Sequence, residues 1–304
     1  MIHIHNGDVV AALARRSDIP GEHVAYHESL ISGPVVPGEG WIEHRAHALS
    51  ERHGEDILRT RTALIEQEQL LDAAPSQGEI VLWFEHDLYC LVHLLHLLQR
   101  FAGARVSVVW CPEPLSNSDE RGLRLLFESR AAATPSMLAL ARDAWAAYTS
   151  PDASSLNDYL LPRDTADFPF LREGLTLHAS RFPSVRNGLG AIEQHALDLV
   201  ATGAAEWGWL FGQLNTRAPR FCFGDSEVFA ILRSMASCAV PLLTLTGDLP
   251  KVMVAITPAG ENVLRGEVDD LRVNDPDRWL GGVHLTKENV WRWDGARLSR
   301  SAAW

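Results

Sequence analysis

Glu79-Ile80-Val81-Leu82-Trp83-Phe84-Glu85-His86-Asp87 is the stretch on which the fold turns. From Ile80 to Phe84 it is continuous in apolar residues, with no polar position every second residue. A strand with one wet face alternates, whereas a parallel strand covered on both faces reads as an unbroken run. The run stops abruptly at three titratable residues, Glu85-His86-Asp87. Leu88 to Phe101 then carries leucines at helical spacing. Strand, polar turn and helix in that order form one step of an α/β unit.

Upstream the same step recurs. Ile2-His3-Ile4-His5 reads as a short strand, Asn6-Gly7-Asp8 as a turn, and Val9 to Arg16 as a helix with Asp8 at its N-cap. His23 to Tyr26 reads as a second strand ending in His27-Glu28-Ser29. Gly and Pro mark 32–38 as loop. Helices are expected over about 40–53 and 55–74, and a further buried strand over Arg105 to Trp110. Strands alternating with helices predict a Rossmann-like parallel sheet with covering helices across 1–115.

The pattern then turns helical, over 119–130, 135–148 and roughly 167–182, so 116–186 reads as a helical connecting region. From 187 the character changes again. Helices over 189–202, 206–214 and 226–236 precede a hairpin, Pro241 to Thr246 and Val252 to Ile256. A last helix starts at Pro258 with Thr257 as its cap. Three helices, a hairpin and a closing helix predict a winged-helix-like α+β domain over 187–304. Its tail is Trp-rich, with Trp279, Trp291, Trp293 and Trp304.

Composition limits the function classes. The chain has 304 residues, 46% hydrophobic and 22% charged, which is ordinary globular chemistry and enough length for two cores. No apolar run is long enough to span a bilayer, and the start lacks the basic and apolar regions of a signal peptide, so a cytoplasmic protein without a membrane partner is expected. The four cysteines include no Cys-x-x-Cys pair, and each reads as a small packed hydrophobe. The net charge of −12 opposes DNA or RNA as a ligand, since phosphate backbones need basic contacts. A small molecule held in a local pocket is compatible with that charge.

In an open α/β sheet, ligands bind beyond the carboxyl ends of the strands. Asn6-Gly7-Asp8, His27-Glu28-Ser29 and Glu85-His86-Asp87 each follow a strand within one residue, so neighbouring strands would bring them to one rim. Gly7 allows close backbone approach, and the following helix offers free N–H groups. Glu85, His86 and Glu28 are the candidate catalytic groups, as acid or base at a pocket rim. Asn6, Gly7, Asp8, His27, Ser29 and Asp87 are the candidate ligand-binding residues. Asp87 competes with its own role as cap of the helix at Leu88. His3 and His5 face one side of their strand, but this spacing alone assigns no metal. Neither Gly-x-Gly-x-x-Gly nor a P-loop lysine is present, so no cofactor is assigned. Trp279-Leu280-Gly281-Gly282-Val283-His284 reads as a packed strand or turn, or else as the edge of a lid.

Three segments together resemble the bacterial proteins grouped as domain of unknown function 1835: Ile4-His5-Asn6-Gly7-Asp8, Glu28-Ser29-Leu30 to Gly33-Pro34, and Leu82 through Tyr89. From Phe182-Pro183 through Gly224-Asp225 to Ile256-Thr257-Pro258-Ala259-Gly260 the chain is similar to domain of unknown function 3658, which often accompanies it. The resemblance implies two domains and supplies no activity or catalytic residue. Three functions then compete. The first is an enzyme or enzyme-like binder of a small anionic or nucleotide-like ligand at the N-terminal strand ends. The second is a regulator with an N-terminal sensor and a winged-helix DNA reader, opposed by the single basic residue, Arg233, in the recognition stretch 226–236. The third is a protein-interaction module.

Overall fold

The computed structural model describes residues 1–162 and 164–301; Trp304 of the tail lies outside the described residues. The protein is mixed α/β, with a five-stranded, mostly parallel sheet and small antiparallel sheets. The chain divides into two compact units. The first holds Met1–Ile31, Val36–Thr149 and a stretch ending at Gly174; the second holds Ser32–Val35, Ser150–Pro162 and the chain from Leu175 onward. The stretch 116–186, read as a connecting region, is thus shared between them.

In the first unit the order along the chain is β1 (Ile2–His5), α1 (Asp8–Arg16), β2 (Glu22–Ala25), α2 (Trp41–His53), α3 (Ile57–Ala73), β3 (Ile80–Glu85), α4 (Leu88–Arg100), β4 (Val106–Cys111), α5 (Glu120–Glu128), β5 (Ala131–Ala132) and α6 (Pro135–Tyr148). The strand order is β2-β1-β3-β4-β5. The first four strands are parallel, and β5 closes the edge antiparallel to β4. β3 lies in the interior, and Ile80 through Phe84 are each 0% exposed, which is why the run lacks alternation. Val81, Trp83 and Val109 pack against Val10 and Ala14 of α1 and Leu123 of α5. Phe84, on the opposite face, meets His93 of α4. α4 is buried at ten successive or near-successive positions, because it lies between the sheet and α6.

The second unit contains α7 (Asn157–Leu160), α8 (Leu171–Ala179, which begins in the first), α9 (Ala191–Val200), β6 (Ala205–Glu206), α10 (Trp207–Arg217), α11 (Asp225–Ser237), β7 (Leu243–Thr246), β8 (Met253–Ile256), α12 (Pro258–Arg265), β9 (Arg278–Leu280), β10 (Val283–Leu285), β11 (Trp291–Trp293) and β12 (Leu298–Arg300). An antiparallel sheet runs β6-β8-β7, and β9–β10 and β11–β12 form two small hairpins. Thr257 caps α12 by accepting from the Gly260 amide at 3.0 Å. The Trp279 to His284 segment is the β9–β10 hairpin. Its turn needs Gly281 at φ 63°, and Trp279 stacks on His284 at 4.5 Å. No helix among the described residues is long and apolar enough to cross a membrane.

Candidate functional site

The strand order reverses direction between β1 and β3, since β2 lies on one side of β1 and β4 on the far side of β3. In open α/β sheets such a reversal is where ligands bind, because the following helices leave toward opposite faces. Asn6 follows β1 and Glu85 ends β3, and the two meet there. Asn6 Nδ2 donates to Glu85 Oε1 at 2.9 Å, and the Leu115 amide donates to the same oxygen at 2.8 Å. Burial pushes the Glu85 carboxyl above the ordinary range, while these two hydrogen bonds pull it back.

Cys90 joins this pair. Asn6 Nδ2 also lies 3.5 Å from Cys90 Sγ, and Cys90 is 1% exposed. Asp87 is the N-cap of α4 and accepts from the Cys90 amide at 2.7 Å. This is the expected cap geometry, and it ties Cys90 to the turn. A carboxylate oxygen of Glu85, one of Asp87 and the sulfur of Cys90 all lie within 4.8 Å of one another. Burial is the main cause that drives the Cys90 thiol well above its ordinary value, and the charges of Asp87 and Glu85 add to it. Cys111, paired in register with Glu85, is likewise raised to about 11, first by burial and then by Glu85. Cys90 was expected only to fill space. Its place in the first turn after a capping aspartate is the sequence signal that puts it beside the carboxylates.

His86 packs against aromatic rings. Its imidazole lies 4.6 Å from the Trp110 ring and stacks on Phe170 at 5.4 Å, 12° from parallel. Trp110 Nε1 donates to the Pro169 carbonyl at 2.8 Å. Phe170 sits at φ 68°, in the left-handed region that bulky residues avoid at a cost of roughly 1–3 kcal/mol. Neither ring was read as part of the site, and no local pattern links position 170 to position 86.

The first turn differs from its expected form. α1 starts at Asp8 with Gly7 as the N-cap residue and no side-chain cap bond. Asp8 turns instead to His27, whose Nε2 lies 2.8 Å from Asp8 Oδ2 on the surface. Gly7 has an extended φ of 166°, which any residue adopts, so the turn itself does not require glycine. No atom lies within 4 Å of where a Cβ would stand, and this open space is what Gly7 contributes.

His27-Glu28-Ser29 splits. The His27 side chain reaches Asp8, while its amide donates to Gln67 Oε1 at 2.7 Å. Glu28 and Ser29 are 6% and 5% exposed. The Glu28 carboxylate receives Arg45 Nη2 at 2.6 Å, Arg45 Nε at 3.2 Å and the Ser29 amide at 2.8 Å. Arg45 Nη2 also donates to the Ser29 carbonyl at 2.9 Å. Glu28 and Ser29 are therefore engaged in a buried ion pair that anchors α2. Asn6, Glu85, Asp87 and Cys90 form one group, and Asp8 and His27 another.

No family model matches the chain, and no curated protein matches it.

Proposed function

We propose that the first unit is an enzyme, or an enzyme-like binder, whose small anionic or nucleotide-like ligand sits beyond the carboxyl ends of β1 and β3. One observation carries this reading: the Asn6–Glu85 hydrogen bond spans the reversal of strand order, where open α/β sheets take their ligands. Gly7 supplies open space for close approach. Glu85 and His86 are the groups placed to act on the ligand, and Asp8 with His27 forms an exposed dyad that orients one imidazole nitrogen. Glu28 then acts through Arg45, positioning α2, instead of touching the ligand.

On the motifs quoted above, the chain groups with the proteins of domain of unknown function 1835, and its second unit with domain of unknown function 3658. The succession α9, β6, α10, α11, β7, β8 and α12, with the sheet order β6-β8-β7, supports a winged-helix reading of that unit. Its α11 begins with Asp225 and carries Glu227, so we read it as a contact or covering module and not as a reader of phosphate backbones.

Thermal unfolding of the intact protein against a panel of nucleotides and divalent metals tests the site. A ligand that raises the midpoint for the wild type is expected to lose that effect in Glu85→Ala and His86→Ala. A ligand response unchanged in both variants and in Asp8→Ala removes the proposal.

A further inference from the structure

The proposed site of the first unit carries an electrostatic contradiction. It includes Glu85 and Asp87, yet the proposed ligand is anionic, and like charges at such distances repel strongly where water is scarce. A cation between them removes the contradiction. The donor set is specific about which cation: two carboxylates and a thiol offer one ligand atom each within 4.8 Å. They come from positions 85, 87 and 90, the end of β3 and the first turn of α4, so a short rigid segment carries all three.

A separate observation points the same way. Asn6 Oδ1 is sealed from solvent and has no hydrogen-bond partner, which leaves a buried acceptor unsatisfied. Its sister Nδ2 contacts both Glu85 Oε1 and Cys90 Sγ. Turning the carboxamide by 180° exchanges that hydrogen bond for Oδ1 facing Glu85 and Cys90. A fourth oxygen donor thus stands one carboxamide rotation away from the cluster.

We infer that Glu85, Asp87 and Cys90, with Asn6 Oδ1 beside them, form a binding site for a thiophilic divalent cation of the zinc class. Oxygen ligands at about 2.0–2.2 Å and sulfur at about 2.3 Å suit zinc, and magnesium or calcium would not select a thiol. Tetrahedral ligation draws the three atoms roughly an ångström closer than their present spread, a shift within reach of side-chain rotation. Binding releases the Cys90 thiol proton to solvent and forms one metal–sulfur bond, so affinity rises with pH. The ion then presents a positive face to the anionic ligand. The inference rests on the proposed function for that ligand, though the ion's own ligands do not depend on it.

Cobalt(II) is the probe, because a thiolate bound to it gives a charge-transfer band in the near-ultraviolet. The full chain, stripped of metal with a chelator, is titrated with cobalt(II). One equivalent is expected to develop the band. Cys111→Ser keeps it and Cys90→Ser abolishes it. Glu85→Gln, which preserves an acceptor for Asn6 and Leu115, and Asp87→Asn, which still caps α4, weaken cobalt binding by about tenfold or more. Absence of the band at millimolar cobalt, or a band that survives in Cys90→Ser, overturns the inference. If Cys90→Ser does not fold, the Glu85→Gln and Asp87→Asn titrations decide, and unchanged affinity in both overturns it. Metal binding with no response to any nucleotide sustains this site and removes the proposed ligand. Nucleotide stabilisation indifferent to chelator, with no cobalt band, sustains the ligand and removes the site.

Discussion

Arg45 is 0% exposed and its partner Glu28 is 6% exposed, so each charge depends on the other. A charge stripped of water costs several kcal/mol unless paired, and breaking such a pair leaves the remaining ion uncompensated. Arg45→Met is therefore expected to destabilise the protein by about 3–5 kcal/mol, measured by urea unfolding at neutral pH. Adding Glu28→Gln removes the stranded carboxylate, so the double variant should recover a large part of the loss. A double variant no more stable than Arg45→Met shows that the pair acts by packing alone. The sequence lists Glu28 among the catalytic candidates because a carboxylate after a strand resembles Glu85 after β3. What separates them is the arginine of α2, 17 residues away, and no local pattern announces that pairing. Asp87 was legible because its cap bond is local. Cys90, read only as a packed hydrophobe, has its signal in that cap, and the rings on His86 follow from nothing nearby.

At the scale of the element, β1 and β2 bring three imidazoles into one buried stack. His3 and His23 lie 4.2 Å apart by ring centroid, and His5 and His23 5.2 Å apart. Parallel pairing in register sets His3 opposite His23. The hydrogen bonds fix their protons. Trp83 Nε1 donates to His3 Nδ1 at 3.0 Å, and His3 Nε2 donates to the Pro20 carbonyl. A proton added at His3 Nδ1 would meet the Trp83 N–H head-on. Burial lowers His3 to about 4, and His96, stacked on Trp41 and tilted against Trp145, to about 3.

Both shifts favour the neutral form in the folded state, so their stabilisation is complete above the unfolded value near 6.5. It is lost as pH falls from there toward 4, where the unfolded chain binds protons that the native state refuses. Each histidine contributes a slope of about 1.4 kcal/mol per pH unit in that window. The Glu79 carboxyl, held near 2 chiefly by Arg130, adds a separate loss only below about 4.5. Urea unfolding between pH 7 and pH 4.5 should show stability falling, with a shallower slope in His96→Phe. An unchanged slope in that variant removes His96 from the account. The alternation that makes His3 and His5 one face was readable, whereas their neighbour His23 required the pairing of β1 with β2. β5 and β6 escaped notice because two residues carry no periodicity.

For the whole molecule, the sequence supports three consecutive blocks divided at 115 and 186, and the contacts give two units between which the chain passes repeatedly. Periodicity reports each element's own surface, not which distant element covers it. α6 illustrates this: it reads as part of a connector, yet Met137, Ala141, Ala144 and Tyr148 are buried and it packs on α4 of the first unit. The reverse holds for 150–162. Within the second unit, Asn157 Nδ2 donates to the Leu298 carbonyl at 2.9 Å and Asn157 Oδ1 accepts from the Leu298 amide at 2.7 Å. The Val35 amide donates to the Gly281 carbonyl at 3.0 Å. A chain cut after Gly174 keeps 32–35 and 150–162 but loses the residues that satisfy them. Leu156, Tyr159 and Leu160 are 1%, 4% and 7% exposed in the full protein, and uncovering them forfeits roughly 1.5–3 kcal/mol for each fully exposed side chain. Set against a total stability of about 5–15 kcal/mol, that loss is decisive. The fragment 1–174 is expected to bind a hydrophobic dye and to unfold over a broad range, while the full chain melts sharply. A sharp melt without dye binding would instead make the first unit self-sufficient, with 32–35 and 150–162 as mere passengers on it.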